Sequence, residues 1–373
     1  MNSTTMEQPV PLSWQRAWLN HSLSFVHPLY TLFFLSYGPW SWWSALLLGI
    51  PIHLGVLVDR RSPMDHSAPD ENWPDWPFDI QLYILIALHF ANLIMLGVMA
   101  SQLHLWPPGE TITTLANAWA VFIVAGVNAG YSGIVLAHEL VHRKEPHLFF
   151  LGRLILASLF YEHFTTEHVR GHHVRVATPD DPATARYGET FRDFYKRTVR
   201  GQFLSAWRLE NDRTGIDGTP SPANLLNPRI LYHRCFQGIL MALGLALAMT
   251  FTFGWIALAL MILQARMAIT LLEVVNYIEH WGLVREKKNV TPRDSWDANS
   301  WFTLHTLVGL SRHSDHHAWA NRPYHKLRYH EESPRMPTGY YGTIYLVFVD
   351  NARYIKLAKR ELQRLGRVPE SAS

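Results

Sequence analysis

Residues 113–143 read TTLANAWAVFIVAGVNAGYSGIVLAHELVHR, an apolar run that ends in two histidines four positions apart, His138 and His142. The run up to residue 137 contains no Asp, Glu, Lys or Arg, and it is longer than the roughly 20 residues that a helix needs to cross a bilayer. Residues i and i+4 share one face of a helix, so both imidazoles can reach one metal ion. The stretch therefore predicts a membrane-spanning helix with a metal-binding end.

Five further stretches have a similar apolar composition. The whole chain is 48% hydrophobic and 17% charged, against about 25% charged residues in an average soluble domain. The sequence therefore predicts an all-α fold, an integral membrane bundle within a single domain over residues 1–373. Its six spans are expected at roughly 22–37, 40–58, 80–101, 113–137, 233–252 and 254–275.

Lys and Arg are distributed unevenly among the connections between these spans. The connections after the first, third and fifth spans have none, whereas those after the second, fourth and sixth carry arginines. Basic connections face the cytoplasm, so both termini and two catalytic segments, 138–232 and 276–366, are expected on the cytoplasmic side of the inner membrane as a helical cap. The apolar stretch 148–161 is too short for a span and is interpreted as re-entrant or interfacial.

Two further histidine clusters lie in these basic segments. The motif E-H-V-R-G-H-H supplies His168, His172 and His173, and a helical turn there should align the first histidine with the later pair. This is the second cluster. The third cluster, His313, His316 and His317, lies in the motif R-H-S-D-H-H-A. Eight imidazoles are more than one ion can use while leaving a position for a substrate, so two metal ions are expected.

The kind of metal follows from the setting as well as from the ligands. Imidazole suits zinc, copper, iron and nickel, but an apolar membrane cavity beside open metal positions favours oxygen activation by iron. His280, in N-Y-I-E-H-W-G-L, is a ninth candidate ligand directly after the last span. The other histidines, among them His89 and His163, are interpreted as ordinary hydrogen-bonded residues.

Two classes of protein are disfavoured by composition. Cys235 is the only cysteine, which excludes disulfides and iron–sulfur clusters held by this chain alone. The net charge of +3 is too small and too dispersed to indicate nucleic-acid binding.

The motifs resemble the membrane alkane hydroxylase (alkane 1-monooxygenase) family, within the wider group of histidine-rich membrane fatty acid desaturases and hydroxylases. The resemblance runs from about Asn128 to Gly339 and includes S-W-D-A-N and V-A-T-P-D-D-P-A besides the histidine motifs. It implies two iron ions as cofactor, with O2 as co-substrate. The implied iron ligands are His138, His142, His168, His172, His173, His280, His313, His316 and His317.

The resemblance also implies an activity and partners. The enzyme would hydroxylate the terminal methyl group of medium- to long-chain alkanes, taken from the bilayer, to 1-alkanols. Its electrons would come from rubredoxin, which an NADH-dependent rubredoxin reductase reduces. Cationic residues that flank the histidine motifs predict a docking face for an acidic carrier: Arg143, Lys144, Arg175, Arg186, Arg312, Arg322 and Arg328.

Carboxylates next to the histidines in sequence are expected to accept hydrogen bonds from the imidazole N–H groups. These candidates are Glu139, Glu167, Glu279 and Asp315, with Asp180 and Asp181 as further ones. Two other functions stay open. One is an enzyme of the same scaffold, a hydroxylase, desaturase or decarboxylase, that acts on xylene, a terpene or a fatty acid. The other is a histidine-rich metal transporter, although transport sites lie near the bilayer midplane.

Overall fold

The computed structural model describes residues 12–369. Within them the chain forms α-helices and no strand, so the expected all-α class is confirmed. The helices are α1 (Trp14–His21), α2 (Val26–Tyr37), α3 (Trp42–Leu48), α4 (Ile50–Arg61), α5 (Trp76–Ala100), α6 (Pro108–Asn128), α7 (Val135–Val141), α8 (Pro146–Ser158), α9 (Phe164–Thr166), α10 (His173–Arg175), α11 (Phe191–Thr214), α12 (Arg234–Phe253), α13 (Trp255–His280), α14 (Trp301–Thr306), α15 (His313–Ala318), α16 (Tyr340–Val349) and α17 (Asn351–Arg364).

Shorter helical turns join several of these helices. One π-helical turn, Ala129–Ile134, makes α6 and α7 continuous, and a second, Glu167–His172, connects α9 to α10. Short 3-10 turns cover Ser22–Phe25, Pro222–Leu226, Pro228–Tyr232, Pro292–Asp294 and Tyr324–Lys326.

Five helical runs among the described residues are long and apolar enough to cross a membrane. They are Trp42–Arg61, Trp76–Ala100, Pro108–Val141, Arg234–Phe253 and Trp255–His280, and they correspond to the second to sixth predicted spans. The first predicted span, 22–37, contains a 3-10 turn followed by α2, which has only 12 residues. A sixth crossing therefore stays a prediction. The stretch 148–161 overlaps α8, whose 13 residues are too few for a span.

The fourth and sixth spans continue four and five residues beyond their predicted ends at 137 and 275. The fourth ends at Val141 and the sixth at His280, so His138 and His280 lie in the last turns of helices instead of in the connections that follow. The predicted ends lie directly before the polar residues His138 and Asn276. In the folded chain these polar residues are buried against other parts of the protein, so the helix continues through them.

The continuous helix α6–α7 packs closely against α13, and this packing fixes the position of one helix along the other. A Cβ atom at Gly126 would lie 2.5 Å from the Cβ of Met267, and one at Gly130 would lie 2.9 Å from the Cδ1 of Leu271. Small residues of this kind let neighbouring helices approach closely in membranes. The contact brings the histidine ends of α7 and α13 side by side.

The end of α4 and the segment that follows it hold the third histidine cluster in place. Arg312 donates from Nη2 to the Asp65 carboxylate at 2.9 Å and from Nη1 to the Leu327 carbonyl at 2.6 Å. Asp59, at the end of α4, accepts from the Thr303 hydroxyl at 2.6 Å and from the Tyr341 backbone N–H at 3.0 Å. These buried contacts fix α14, α15 and α16 against the bundle.

Candidate metal centre

All nine predicted histidine ligands converge at the shared end of α7 and α13. They form two adjoining groups, and within each group one nitrogen of every ring lies within 4.8 Å of the others. The five-histidine group is His138, His142, His168, His173 and His316, and the four-histidine group is His172, His280, His313 and His317. The second and third sequence clusters thus each contribute to both groups.

The π-helical turn Glu167–His172 divides the second cluster between the groups. Hydrogen bonds in a π-helix run from i to i+5, so His168 and His173 lie on one face, with their Nε2 atoms 3.0 Å apart. His172 turns away and its ring centre lies 4.7 Å from that of His280. The expected α-helical turn, which aligned His168 with both later histidines, is therefore wrong. An α-helical turn would not have paired His168 with His173 alone.

Helix α15 divides the third cluster in the usual α-helical way. His313 and His317 are four residues apart and face the four-histidine group, whereas His316 faces the other group, with its Nε2 atom 3.1 Å from that of His173. The first turn of α15 is anchored by Asp297, which accepts from the Ser314 backbone N–H at 2.8 Å and from its hydroxyl at 2.5 Å. The helix is thus held between the two groups.

The spacing of the imidazole nitrogens fits metal coordination. Nε2 of His313 lies 3.2 Å from Nε2 of His280, similar to the two separations in the other group. At a metal–nitrogen distance of about 2.1 Å, two ligands at right angles around one ion are about 3.0 Å apart. Four further Nε2 atoms are buried without a hydrogen-bond partner in the described residues, those of His138, His142, His172 and His317. Such orphaned atoms are rare in proteins, and a bound ion in each group would satisfy them.

Four of the imidazoles are held in the neutral form that binds metals. Burial, followed by the neighbouring His172, lowers the pKa of His142 to about 4. Burial and repulsion between neighbouring rings also lower the pKa values of His168, His173 and His316 well below the usual value for histidine. No protons therefore need to be removed from these rings at neutral pH before a metal binds.

Asp181 supports one of the ligands from outside the group. Its carboxylate accepts from Nδ1 of His172 at 2.9 Å and is fixed by the hydroxyl of Thr184 at 2.6 Å and the backbone N–H of Ala183 at 3.1 Å. Burial alone would raise the pKa of Asp181, but the neighbouring His172 and the hydrogen bonds from His172 and Thr184 lower it overall. An ionised carboxylate in this place fixes the tautomer and ring angle of His172.

Glu279 is the one carboxylate of the four main candidates that contacts a predicted ligand. Its Oε2 atom lies 3.1 Å from Nε2 of His313, and its Oε1 atom accepts from the Tyr340 hydroxyl at 2.6 Å. Nε2 of His313 also faces His280. Glu279 therefore lies on the side of His313 that faces the other ligands of the four-histidine group.

The other three main candidates pair with arginines and contact none of the nine predicted histidine ligands. Glu139 accepts from Arg143 at 2.9 Å, and Glu167 accepts from Arg175 at 2.8 Å. Asp315 accepts from Arg322 and from His330. Successive residues on a helix point about 100° apart, and these three carboxylates, each next to a ligand in sequence, face away from the metal site.

The predicted docking face does not form from the cations named for it. Arg143, Arg175 and Arg322 are held in the ion pairs just described, because guanidinium groups that are partly removed from water need a partner. Arg312 is buried against Asp65, and Arg328 contacts Glu71. Of the seven, only Lys144 and Arg186 are exposed without an ion pair among the described residues.

A narrow apolar cavity extends from the two groups into the bundle. From Glu279 to Leu271 it follows α13 for eight residues, or about 12 Å at 1.5 Å per residue. Its opposite wall is the π-helical turn between α6 and α7. The end of the cavity at the histidine groups is closed by three of the predicted ligands. The lining residues are Gly130, Tyr131, Ile134, Val135, His138, Phe164, His168, Leu271, Leu272, Val275, Asn276, Glu279, Leu307, Leu310 and His313.

Comparison with known proteins assigns the chain to a family. Residues 113–346, which include all nine histidines, match the family model of fatty acid desaturases. The chain is 42% identical over 311 residues to alkane 1-monooxygenase 2 of Pseudomonas aeruginosa, a match that covers 82% of this chain and 80% of the relative. The chain belongs to the alkane 1-monooxygenase family.

Other relatives show how far this family likeness extends. Alkane 1-monooxygenase 1 of Pseudomonas aeruginosa is 34% identical over 319 residues, 83% of this chain and 80% of the relative. The xylene/toluene monooxygenase hydroxylase component of Pseudomonas putida is 26% identical over 313 residues, 81% of this chain and 77% of the relative. The predicted alkane 1-monooxygenase family and the predicted enzyme class, a monooxygenase, are confirmed.

Proposed function

We propose that this chain hydroxylates the terminal methyl group of medium- to long-chain alkanes to 1-alkanols, with O2 as co-substrate. The observation that carries the proposal is the apolar cavity, which ends at His138, His168 and His313 and therefore at both histidine groups. A linear hydrocarbon in this cavity would present one end to the predicted metal centre. The names of the relatives, alkane 1-monooxygenases, support the same substrate class.

The nine histidines are the proposed ligands of two iron ions, one in each group. When bound, the iron ions supply the redox chemistry that activates O2. Asp181 holds His172 in one tautomer, and Glu279, which accepts from the Tyr340 hydroxyl, supplies a polar group at the end of the cavity beside the histidines. An unactivated methyl group offers the protein no charge to recognise, so positioning and exclusion of water by the apolar walls are its main contribution.

The cavity wall should limit the length of the alkane. Leu271 is buried at the end of the cavity distant from Glu279, against Gly130. The substitution Leu271→Phe should lower oxidation of the longest accepted alkanes about tenfold while short alkanes are oxidised normally, because overpacking costs about 1–3 kcal/mol. Alkanol yields from whole cells given a ladder of linear alkanes would measure the change.

A matched control for this substitution is available on the same helix. Ile262 on α13 is 51% exposed on the outside of the bundle, so Ile262→Phe should leave the chain-length profile unchanged. Identical profiles for both variants would show that the cavity does not hold the alkane chain.

We infer that electrons arrive through a surface pocket that adjoins both histidine groups. The pocket is lined by His173 and His317, one from each group, together with Arg285 and Lys288, and the exposed Trp319 lies at its rim. An acidic rubredoxin, reduced by its NADH-dependent reductase, is the proposed partner, because cations and exposed apolar groups around a redox site favour transient docking of an acidic carrier. The basic segments support a cytoplasmic orientation of this surface at the inner membrane.

Reversal of one charge at this pocket should weaken the docking. The substitution Lys288→Glu should raise KM for rubredoxin about fivefold at low salt with little change in kcat, because rim charges act mainly on association. The neighbouring Lys287 is exposed but does not line the pocket, so Lys287→Glu is the control. Equal KM values for the two variants at low salt would place docking elsewhere.

The activity itself can be tested with a ladder of alkanes, p-xylene and oleate supplied to cells that produce the protein or its His313→Ala variant. The proposal expects 1-alkanols from the wild type and none from the variant. A hydroxylated xylene as the main product would favour the second candidate, which the xylene/toluene monooxygenase relative supports. Unchanged alkanol yield in His313→Ala would contradict the assigned site.

A further inference from the structure

A second space, a groove open to the outside of the bundle, lies beside the metal centre and is separate from the apolar cavity. It runs along α12 from Cys235 to Ala246, about 16 Å at 1.5 Å per residue, and its volume is about 530 Å³. Helix α12 is a candidate membrane span with few buried residues, so the groove faces the bilayer. Its walls are mostly apolar, with Ile239, Leu243 and Ile269 among them.

One end of the groove is polar. Glu162 and His163 line it, and both have a buried atom without a hydrogen-bond partner, Oε2 of Glu162 and Nε2 of His163. Glu162 is only 4% exposed and uses its other oxygen for the ion pair with Arg153. A Cβ atom at Gly238 would lie 1.9 Å from Oε2 of Glu162, so the glycine leaves the room that this oxygen occupies. Unsatisfied polar groups at the end of an apolar groove indicate a ligand with a small polar head.

A line of hydrogen bonds crosses the wall between the groove and the apolar cavity. Asn276 lines the cavity and donates to Glu273 at 3.3 Å, and Glu273 accepts from the hydroxyl of Tyr161, which lines the groove, at 2.7 Å. Glu273 is fully buried and forms no ion pair among the described residues, and its other hydrogen-bond partners are Gln202 and Thr198. Ionisable residues at membrane level are costly and usually functional. An alkane cannot form hydrogen bonds with these polar side chains, whereas a hydroxyl group can.

We propose that the groove binds the primary alcohol product as it leaves the metal centre for the bilayer. Its hydroxyl group lies at Glu162 and His163, and its hydrocarbon chain lies along α12. The inference rests on the proposed function, because the alcohol is the product of that reaction. Asn276, Glu273 and Tyr161 offer the hydroxyl group polar partners in the wall between the cavity and the groove.

The charges at the polar end select a neutral head group. A hydroxyl group can donate to Oε2 of Glu162 and accept from the ring of His163. A carboxylate or phosphate would instead meet the Glu162 carboxyl group, and no Lys or Arg is among the described residues that line the groove. A fatty acid or phospholipid head is therefore disfavoured relative to an alcohol.

Binding can be tested without turnover. The metal-loaded protein in nanodiscs of phosphatidylethanolamine and phosphatidylglycerol, without reductant, would be irradiated with a 1-dodecanol analogue that carries a diazirine on its tail. Labelling is expected on the groove side of α12 and on Phe203, which lines the groove. Excess 1-dodecanol should remove the label, whereas dodecane and dodecanoic acid should not. Equal competition by dodecanoic acid, or equal labelling of the lipid side of α12, would overturn the proposal.

Two variants and one control connect the groove to turnover. Ala246→Trp fills the groove and should lower its labelling about tenfold, and His163→Phe removes a hydrogen-bonding ring and should lower it about fivefold. Ala248→Trp places the same bulk on the exposed side of α12 and should change nothing. In Ala246→Trp, alkanol formed in a single turnover should equal that of the wild type, while the multiple-turnover rate falls.

The outcomes separate this inference from the proposed function. If the wild type forms no alkanol in a single turnover, the proposed function fails. If the wild type forms alkanol but Ala246→Trp and Ala248→Trp turn over at the same rate, the groove is not the exit path and only the present inference fails.

Discussion

Alanine in place of His280 is expected to lower the iron content of the purified protein from about two ions per chain to about one. His280 belongs to the four-histidine group, which would keep only three imidazoles, fewer than the four ligands of a closed site. Alkanol formation should fall by more than the roughly 10–100-fold that loss of a supporting residue costs. Elemental analysis of the detergent-purified variant, with alkanol measured in parallel, would check both effects.

The five-histidine group provides an internal comparison. His142→Ala leaves four imidazoles in that group, so it should retain more iron than His280→Ala. His89 is a buried histidine outside both groups, bonded to Ser158 at 3.0 Å, and His89→Ala should keep about two ions per chain. Equal iron loss in all three variants would show that the loss reflects general destabilisation instead of removal of a ligand.

The second large effect is expected at Asp181. The substitution Asp181→Asn keeps the size of the side chain but removes the negative charge that holds Nδ1 of His172 at 2.9 Å. Iron affinity or alkanol formation should fall about 10–100-fold, the usual cost of losing a residue that orients a ligand. Iron retained after dialysis against a chelator, together with the Mössbauer spectrum of the bound iron, would detect the change.

Asp180 is the matched control for Asp181. It is the preceding residue, carries the same carboxylate and is exposed to solvent. Asp180→Asn should retain iron and activity as the wild type does. If Asp181→Asn also retains both, the hydrogen bond to His172 has no part in metal binding.

The sequence alone predicted which histidines come together and where most of the spans lie, because both signals are local. A run of apolar residues such as 113–137 indicates a membrane helix whatever surrounds it. The four-residue spacing of His138 and His142 places both rings on one side whether or not the last turn is regular. Five of the six expected spans have a counterpart among the described residues, and the nine predicted ligands are the nine histidines that the fold brings together.

The division of the histidines between two groups could not be predicted in the same way. The hydrogen bonds of the π-helical turn at Glu167–His172 span one residue more than those of an α-helix, and no motif in the sequence indicates this turn. Its effect, the separation of His172 from His168 and His173, depends on packing against α13 and α15. Gly171 was a partial signal, because a side chain there would collide with Glu167 and Arg175.

The partners of the charged residues were equally hidden in the sequence. Arg143 and Arg175 stand beside histidine motifs and were expected at the surface, but each pairs with a carboxylate one or two turns away. Asp181, a weaker candidate in the sequence, supports a ligand because the loop that carries it folds back onto His172. The residues that line the cavity, such as Leu271, are apolar in the same way as ordinary core residues, and only the folded structure distinguishes them.

We propose that the two histidine groups hold a metal centre that adds oxygen to a hydrocarbon from the apolar cavity. The most direct measurement supplies the purified protein with iron, rubredoxin, rubredoxin reductase, NADH and a linear alkane under ¹⁸O2, and determines the isotope in the product by mass spectrometry. The account predicts a 1-alkanol that carries one ¹⁸O atom. An absence of alkanol, or an alkanol whose oxygen comes from water, would contradict it.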